Sequence, residues 1–353
     1  MNTLIVKEDP NNVSTEQMKK AGDIIKAGGL VAFPTETVYG LGGDALNKES
    51  SKKIYAAKGR PSDNPLIVHI STWDSMGHIS KDLPDSAKLL ADAFWPGPLT
   101  MVVKKSDAVP YETTGGLDTV AIRMPDHQVA LQFIEQAGGY IAAPSANTSG
   151  KPSPTNAGHV IEDMNGIIDM IIDGGEVGIG VESTIVDLTD EKPTILRPGY
   201  ITEEMLERVL GQVDTDRTIL DNNSGLKPKA PGMKYRHYAP KGDMMLIEGN
   251  TDRVVSIINQ QVKKAKADGA RTGVLCTDET YDLIEADVKL SAGPRGDEHE
   301  IARRLYRILR DFDTEGVDTI YSESFSKEGF GQAVMNRLLK AAGFNVMKLE
   351  DET

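Results

Sequence analysis

Residues 31–43 read VAFPTETVYGLGG, three apolar residues followed by a polar loop rich in threonine and glycine. With Leu30 in front, the apolar part predicts a short buried strand over 30–33. The segment 34–43 predicts a loop at the end of that strand. A short apolar strand that opens into a polar, glycine-rich loop is typical of the ligand-binding edge of an α/β sheet, where ligands lie outside the strand ends.

The elements on both sides of this stretch support an α/β fold. Upstream, Ser14 can cap a helix that runs to about Lys26, with Gln17 completing a capping box. Downstream, apolar segments alternate with amphipathic ones. Helices are predicted at 48–58, 85–94 and 127–137, and strands at 66–70, 99–103, 120–124, 140–143, 170–172, 184–188 and 194–196. The alternation predicts a twisted mixed sheet with flanking helices.

The chain of 353 residues is long for one domain. We predict a first domain at 1–212, a linker at 213–242 and a smaller, Rossmann-like α/β domain at 243–353. In the last, strands are predicted at 244–247 and 273–276, and helices at 251–267, 297–313 and 331–342.

Composition excludes several classes of protein. The formal net charge of -14 disfavours tight binding to nucleic acid and allows only a local basic cavity. The single cysteine, Cys276, can form neither an internal disulfide nor a cysteine-based zinc site, and its apolar surroundings predict a buried structural role. Neither a signal peptide nor a membrane span is recognisable, so we expect a cytoplasmic protein.

Cationic side chains stand in or beside the polar loops of the first domain. They are Lys58, Arg60, Arg123 and Arg197. If the loops converge on one cavity, four cations would repel one another unless an anion neutralised them, and phosphate and carboxylate are the natural candidates. Ser145, Asn147 and Ser149 could add hydrogen-bond donors. No Walker A loop, dinucleotide-binding glycine motif or HExxH motif occurs, so a nucleotide site must be of another type.

Seven segments in a fixed order give a more specific indication. They are PTETVYGL (34–41), KGRPSDNPL (58–66), FWPGPLT (94–100), APSANTSG (143–150), STIVD (183–187), LRPG (196–199) and PGMKYRHYAP (231–240). Together they closely resemble the threonylcarbamoyl-AMP synthase family in its long form, which has a YrdC-like first domain and an additional C-terminal domain. The resemblance runs over nearly the whole chain.

The resemblance implies an enzyme that makes threonylcarbamoyl-AMP from L-threonine, bicarbonate and ATP, for N6-threonylcarbamoyladenosine in tRNA. It implies that threonine contacts Thr37, His69, Arg123, the backbone near Ala143, and Ser183. It implies that ATP contacts Arg60, Asn64, Thr119, Ser145, Asn147, Ser153, Arg197 and His237, with Lys58 beside the phosphates. Lys58 and Arg60 are then the catalytic cations. Mg²⁺ would accompany the nucleotide, without a protein-held metal or prosthetic group, and a tRNA threonylcarbamoyl-transferase complex would use the product.

The segment 231–240 suggests more than a spacer. Between its prolines stand Tyr235, Arg236, His237 and Tyr238, which combine cationic donors with aromatic surface. We predict that these residues form a lid over the substrates, a common means of excluding water. Docking of the second domain by the same side chains is the alternative.

Other interpretations remain open from sequence alone. Taken singly, the serines and asparagines are ordinary turn formers, and His69 is a core histidine. A row of arginines near the C-terminus is interpreted as a solvated helix face paired with acids: Arg303, Arg304, Arg307 and Arg310. The alternatives for the whole chain are a non-catalytic RNA-binding or translation-associated protein, and a carbamoyl-adenylate enzyme of hydrogenase maturation. The latter would need a cysteine-rich zinc element that one cysteine cannot supply.

Overall fold

The computed structural model describes residues 2–216 and 238–349. They form two compact units, the first with residues 2–149 and 153–216 and the second with residues 150–152 and 238–349. The middle of the predicted linker lies outside the described residues, and the predicted domain bounds stay a prediction.

The first unit is built on a mixed sheet, as predicted. Its described strands are β1 (Leu4–Lys7), β2 (Val31–Phe33), β3 (Gly40–Asp44), β4 (Ile67–His69), β5 (Leu99–Lys104), β6 (Thr119–Arg123), β7 (Ile141–Ala143), β8 (Met170–Asp173), β9 (Thr184–Asp187), β10 (Thr194–Arg197) and β11 (Asp214–Thr215). Their order across the sheet is β1-β8-β2-β3-β7-β4-β6-β5-β9-β10-β11. Its helices are α1 (Thr15–Lys26), α2 (Lys48–Lys58), α3 (Met76–Ile79), α4 (Asp85–Phe94), α5 (Tyr111–Thr114), α6 (Gln128–Gln136), α7 (Ala157–Met164) and α8 (Glu203–Leu210).

The two faces of the central strands differ in character. Strand register places Ile67, Ala121 and Val102 side by side, and because side chains alternate along a strand they share one face. That face carries a small apolar cluster, continued at one end by His69 and Arg123. The opposite face holds the large core, which includes Val68, Met101, Ile122 and Val186. The polar end of the thin apolar face is therefore where a site can open.

The start of α1 is only partly as predicted. Ser14 Oγ accepts from the Gln17 backbone N–H, but the distance of 3.4 Å is long, and Gln17 does not return a bond to Ser14 N. Glu8 Oε2 accepts that N–H instead, at 2.9 Å. The predicted capping box is therefore wrong in its second half, because the carboxylate of Glu8, just after β1, takes the Ser14 N–H that Gln17 was expected to bind.

Part of the predicted loop at 34–43 is strand β3, which pairs with β2 and β7. Its glycines allow close packing: a Cβ on Gly42 would lie 2.9 Å from Ile141 Cγ2, and one on Gly43 would lie 3.1 Å from Ile54 Cδ1. Glycine is ordinarily a loop signal, whereas here it lets large core side chains approach a strand backbone.

The second unit has a parallel sheet, ordered β14-β13-β15-β12-β16. Its strands are β12 (Asp243–Glu248), β13 (Thr272–Cys276), β14 (Val288–Ser291), β15 (Thr319–Glu323) and β16 (Val346–Lys348), and its helices are α9 (Thr251–Ala267), α10 (Glu298–Thr314) and α11 (Gly331–Ala341). Cys276 is fully buried, and burial raises the pKa of its thiol to about 12. The burial predicted for Cys276 is confirmed, and an un-ionised thiol is a poor nucleophile.

The arginine row on α10 is solvated only in part. Arg303 and Arg304 are exposed and pair with Glu300, as predicted. Arg310 is buried, and its Nη2 donates to the Pro152 carbonyl at 2.7 Å within the same unit. The prediction of a solvated Arg310 is wrong, because position 310 falls on the buried stripe of the helix beside Leu309. None of the helices among the described residues is long and apolar enough to cross a membrane.

Candidate active site

A tight turn after β2 forms the first wall of the site. Thr35 Oγ1 donates to the Val38 carbonyl at 2.7 Å and accepts from the Thr37 N–H at 3.2 Å. The carbonyls of Glu36 and Thr37 accept from the backbone N–H groups of residues 179 and 180, at 2.9 and 3.1 Å. This turn therefore has a fixed shape that presents the Thr37 side chain.

Arg123, the last residue of β6, meets that turn. Its Nη1 donates to Thr37 Oγ1 at 2.9 Å, and its Nη2 lies 2.7 Å from Glu36 Oε2. Its Nε donates to the Gly97 carbonyl at 3.4 Å. The guanidinium is buried, so it offers a fixed positive charge in a poorly solvated place, where electrostatic interactions are strong.

His69 lies next to Arg123 in the sheet, in register at the end of β4. Its Nδ1 is 3.2 Å from the Ile67 carbonyl oxygen, which can only accept, so Nδ1 carries the proton. Burial, helped by the charge of Arg123, lowers the pKa of His69 to about 3. The ring is therefore neutral at physiological pH and suits a hydrogen bond to a hydroxyl group.

Ser183 and Arg197 form a second polar group, with Thr100 of β5. Thr100 Oγ1 and Ser183 Oγ are 2.7 Å apart, and Arg197 Nη2 donates to Ser183 Oγ at 3.1 Å. Thr100 is also the register partner of Arg123. The group around Arg197 therefore reaches β5, the strand beside Arg123.

Lys58 ends α2 and anchors the loop after β7. Its Nζ donates to the carbonyls of Ser145, at 2.5 Å, and Asn147. Ser149 N returns a bond to the Lys58 carbonyl at 2.9 Å, while Ser145 Oγ donates to Asn147 Oδ1 at 2.5 Å. Lys58 is almost fully buried, so in this arrangement it shapes the loop in addition to supplying charge.

Arg60, Asn64 and Thr119, three of the predicted ATP contacts, lie toward the opposite ends of β4 and β6. Arg60 Nε and Nη2 donate to the carbonyls of Asn64, at 3.3 Å, and Pro65, at 3.1 Å, just before β4. Thr119 begins β6 and Arg123 ends it, so the two are about 13 Å apart on one face. Asn64 and Thr119 stand at the amino ends of β4 and β6, opposite to the ends that carry His69 and Arg123. Because β7 is antiparallel to β4, the loop after β7 meets the start of β4.

The remaining predicted residues are placed as follows. Ser153 Oγ donates to Glu182 Oε1 at 2.6 Å in a buried position. Tyr238 is buried in the second unit, with its ring 5.1 Å from that of Tyr306. The other predicted lid residues lie outside the described residues: Tyr235, Arg236 and His237.

The sequence analysis does not identify two side chains beside Arg123 and one beside Ser183 and Arg197. Glu36 pairs with Arg123, and His127 is close enough for the charge of Glu36 to act on its pKa. Thr100 meets Ser183. Each of these pairs joins residues far apart in sequence, and no local pattern links them.

Comparison with known proteins finds a matching family model for each of the two units. Residues 23–199 match a family model described as "Telomere recombination", labelled Sua5/YciO/YrdC. Residues 201–343 match one described as "Threonylcarbamoyl-AMP synthase, C-terminal domain".

Two relatives match almost end to end. The chain is 49% identical over 333 residues to threonylcarbamoyl-AMP synthase of Pyrococcus abyssi, covering 94% of this chain and 96% of that one. It is 48% identical over 341 residues to the Bacillus subtilis enzyme of the same name, covering 96% and 97%. A crystal structure of P. abyssi Sua5 complexed with L-threonine matches with a TM-score of 0.93 and 46% identity, over 99% of this chain and 100% of that chain.

Proposed function

The chain belongs to the threonylcarbamoyl-AMP synthase family, and we propose that it makes threonylcarbamoyl-AMP from L-threonine, bicarbonate and ATP, releasing pyrophosphate. The observation that carries this proposal is the 49% identity to a synthase over 94% of the chain. The product serves the synthesis of N6-threonylcarbamoyladenosine in tRNA.

We assign threonine to the end of the sheet where Arg123 and His69 are neighbours. Arg123 is a buried cation suited to a carboxylate. The neutral His69 ring and the Thr37 hydroxyl suit the substrate hydroxyl, while Ser183 and the backbone near Ala143 complete the set. Support for this placement comes from the shared face of β4, β5 and β6 and from the bond between Arg123 and Thr37.

We assign ATP to the region between the loop after β7 and the starts of β4 and β6, where Arg60, Asn64 and Thr119 lie. The other proposed contacts are Ser145, Asn147, Ser153, Arg197 and His237. Asn64 supports the placement, because its buried Oδ1 has no hydrogen-bond partner among the described residues, and an adenine amino group is a suitable donor for it.

The proposed reaction has two steps. The threonine amine takes up bicarbonate to give an N-carboxylate and water, and that carboxylate attacks the α-phosphate of ATP and displaces pyrophosphate. Negative charge shifts among phosphate oxygens without need of a covalent enzyme nucleophile. Positioning and fixed positive charge, from Arg60 and Arg197 with Lys58 holding the loop, are what such a step requires.

Magnesium is expected to arrive with the triphosphate. No group of three or more acidic, histidine or cysteine side chains among residues 2–216 and 238–349 is arranged to hold a metal ion. Mg²⁺ commonly binds substrate phosphates together with one or two protein ligands. Mg²⁺ carried by the triphosphate would supply positive charge against the negative charge that builds up on the leaving pyrophosphate.

The direct test is exchange of labelled pyrophosphate into ATP. A synthase predicts exchange that requires both L-threonine and bicarbonate. A non-catalytic RNA-binding or translation-associated protein, the other candidate, predicts none, and the net charge of -14 already disfavours it.

Two wider proposals follow from the activity. We expect the labile product to pass to a tRNA threonylcarbamoyl-transferase complex in the cytoplasm. We also retain residues 231–240 as a proposed lid, which predicts that ATP with threonine protects this segment from limited proteolysis.

A further inference from the structure

Glu36 is a buried carboxylate that none of the roles assigned above uses. It lies in the turn after β2, with its backbone carbonyl bound by the Ile179 N–H at 2.9 Å. Its side chain is 13% exposed, but both carboxylate oxygens are buried from solvent. The turn therefore points a charged group inward, which is costly unless the charge is compensated.

The compensation by Arg123 is incomplete. Glu36 Oε2 and Arg123 Nη2 are 2.7 Å apart, yet they are not aligned as a hydrogen bond. Among the described residues, neither carboxylate oxygen of Glu36 accepts a hydrogen bond. Arg123 Nη2 likewise donates none. Buried charged groups are normally hydrogen-bonded. Here two carboxylate oxygens without a donor lie beside a guanidinium nitrogen without an acceptor.

The third group at this place adds no positive charge. His127 is near enough for Glu36 to affect its titration, and its Nδ1 is buried without a hydrogen-bond partner among the described residues. Burial lowers the pKa of His127, so its ring is neutral at physiological pH. Among the described residues, Arg123 is therefore the one positively charged partner of the Glu36 carboxylate.

An α-amino acid zwitterion has the features that this pair lacks. Its carboxylate supplies acceptors and its ammonium supplies donors, and standard bond lengths place the nitrogen about 2.5 Å from the carboxyl carbon. Because Glu36 Oε2 and Arg123 Nη2 are 2.7 Å apart, an amino acid whose carboxylate binds Arg123 has its ammonium group within reach of Glu36. A carboxylic acid without the amine would instead set one anion against another.

We propose that Glu36 binds the α-ammonium group of the threonine substrate, and so selects the amino acid over the same acid without its amine. This inference rests on the proposed function, since it assumes that Arg123 holds the threonine carboxylate. Arg123 alone binds any carboxylate, so it cannot select an α-amino acid. Arg123 and Glu36 together can, because they recognise both the carboxylate and the ammonium group.

The experiment compares two ligands by isothermal titration calorimetry: L-threonine and the 3-hydroxybutyrate of matching configuration, which lacks only the amine. Glu36→Gln should weaken threonine binding by at least about tenfold, the effect of losing one charged hydrogen bond. Binding of 3-hydroxybutyrate should stay within about twofold or improve, because its carboxylate no longer meets an anion.

Glu8→Gln is the matched control, because Glu8 is a buried carboxylate of the same unit that accepts from Ser14 N at 2.9 Å. It should leave the affinities for both ligands unchanged. Glu36→Asp keeps the charge but moves it away from the ligand, because the side chain is one methylene shorter. It should weaken threonine binding selectively, and it provides a test even if the glutamine variant fails to fold.

Equal affinity of wild type and both Glu36 variants for threonine would overturn the inference, as would equal weakening of both ligands, which would mean that Glu36 only positions Arg123. Failure of the proposed function appears differently: the wild-type protein would not bind threonine at all, and the inference would fall with it.

Discussion

Arg197 makes two hydrogen bonds to one residue, Ser183: Nε donates to the backbone carbonyl at 3.0 Å and Nη2 donates to Oγ at 3.1 Å. Two bonds from one guanidinium to one residue fix the plane of the cation. Because Ser183 is also 2.7 Å from Thr100 Oγ1, the arginine is tied to the strand that neighbours Arg123.

Ser183→Ala should lower kcat/KM roughly tenfold or more, since it removes a buried bond to a charged group. Thr184→Val is the control, because it removes the next buried hydroxyl, which donates to the Ile201 carbonyl at 2.7 Å. Both variants should lose stability, but only the first should lose activity. Pyrophosphate-release kinetics with thermal unfolding tests this, and equal activities would contradict the role of Ser183.

Lys58→Met should lower the rate by roughly a hundredfold, because the carbonyls of Ser145 and Asn147 lose their donor and the loop shifts. Lys105→Met is the matched control. Lys105 is also buried and donates to the Val109 carbonyl at 3.0 Å, in a part of the unit that we do not assign to substrate. If single-turnover rates of the two variants fall equally, loss of stability explains the effect and Lys58 has no special role.

Amino-acid choice should follow hydrogen bonding more than size. A site that pairs the substrate hydroxyl with His69 and Thr37 should reject valine roughly a thousandfold or more, and serine only by about 1–3 kcal/mol for one missing methyl group. Competition between amino acids in product synthesis measures both ratios. Comparable use of valine and threonine would show that the pocket is not polar.

Acid should destabilise the first unit through His69. Its pKa is about 3 in the folded chain, against about 6.5 when unfolded. Below pH 6.5 the unfolded state therefore binds a proton that the folded state refuses. Stability should fall with pH in that window, by up to about 1.4 kcal/mol per unit for this ring.

Urea unfolding at pH 7, 6 and 5 checks the sign of this effect. His69→Gln should show a smaller loss of unfolding free energy than wild type over this range. His78→Gln, which removes an exposed imidazole, should retain the wild-type slope. Parallel curves for His69→Gln and wild type would contradict the assignment of a neutral His69.

The sequence predicted those parts of the fold that depend on local signals. Helix α2 begins and ends where predicted, because Asn47 caps it and Gly59, at a φ of 62°, ends it. Strand β13 ends where predicted and begins one residue earlier. Prediction failed where the structure depends on residues distant in sequence. Glu8 accepts the Ser14 N–H in place of Gln17, and the glycines of β3 form a strand because core side chains pack closely against them.

The same distinction applies to the site. The residues of the quoted motifs could be named from sequence, and Arg123, Thr37 and His69 do come together. The pairing of Arg123 with Glu36 joins positions 87 residues apart, and it depends on how the turn after β2 folds over the sheet. Antiparallel pairing of β7 with β4 brings the loop after β7 to the start of β4, where Arg60 donates to the Asn64 and Pro65 carbonyls, and motif order alone does not reveal this approach.

The most direct test of the central claim is incubation of the protein with ATP, L-threonine and labelled bicarbonate. The predicted result is a labelled acyl-adenylate and pyrophosphate in equal amounts, both lost when any one substrate is omitted. ATP turnover that continues at the same rate without threonine, with no label in an adenylate, would contradict it.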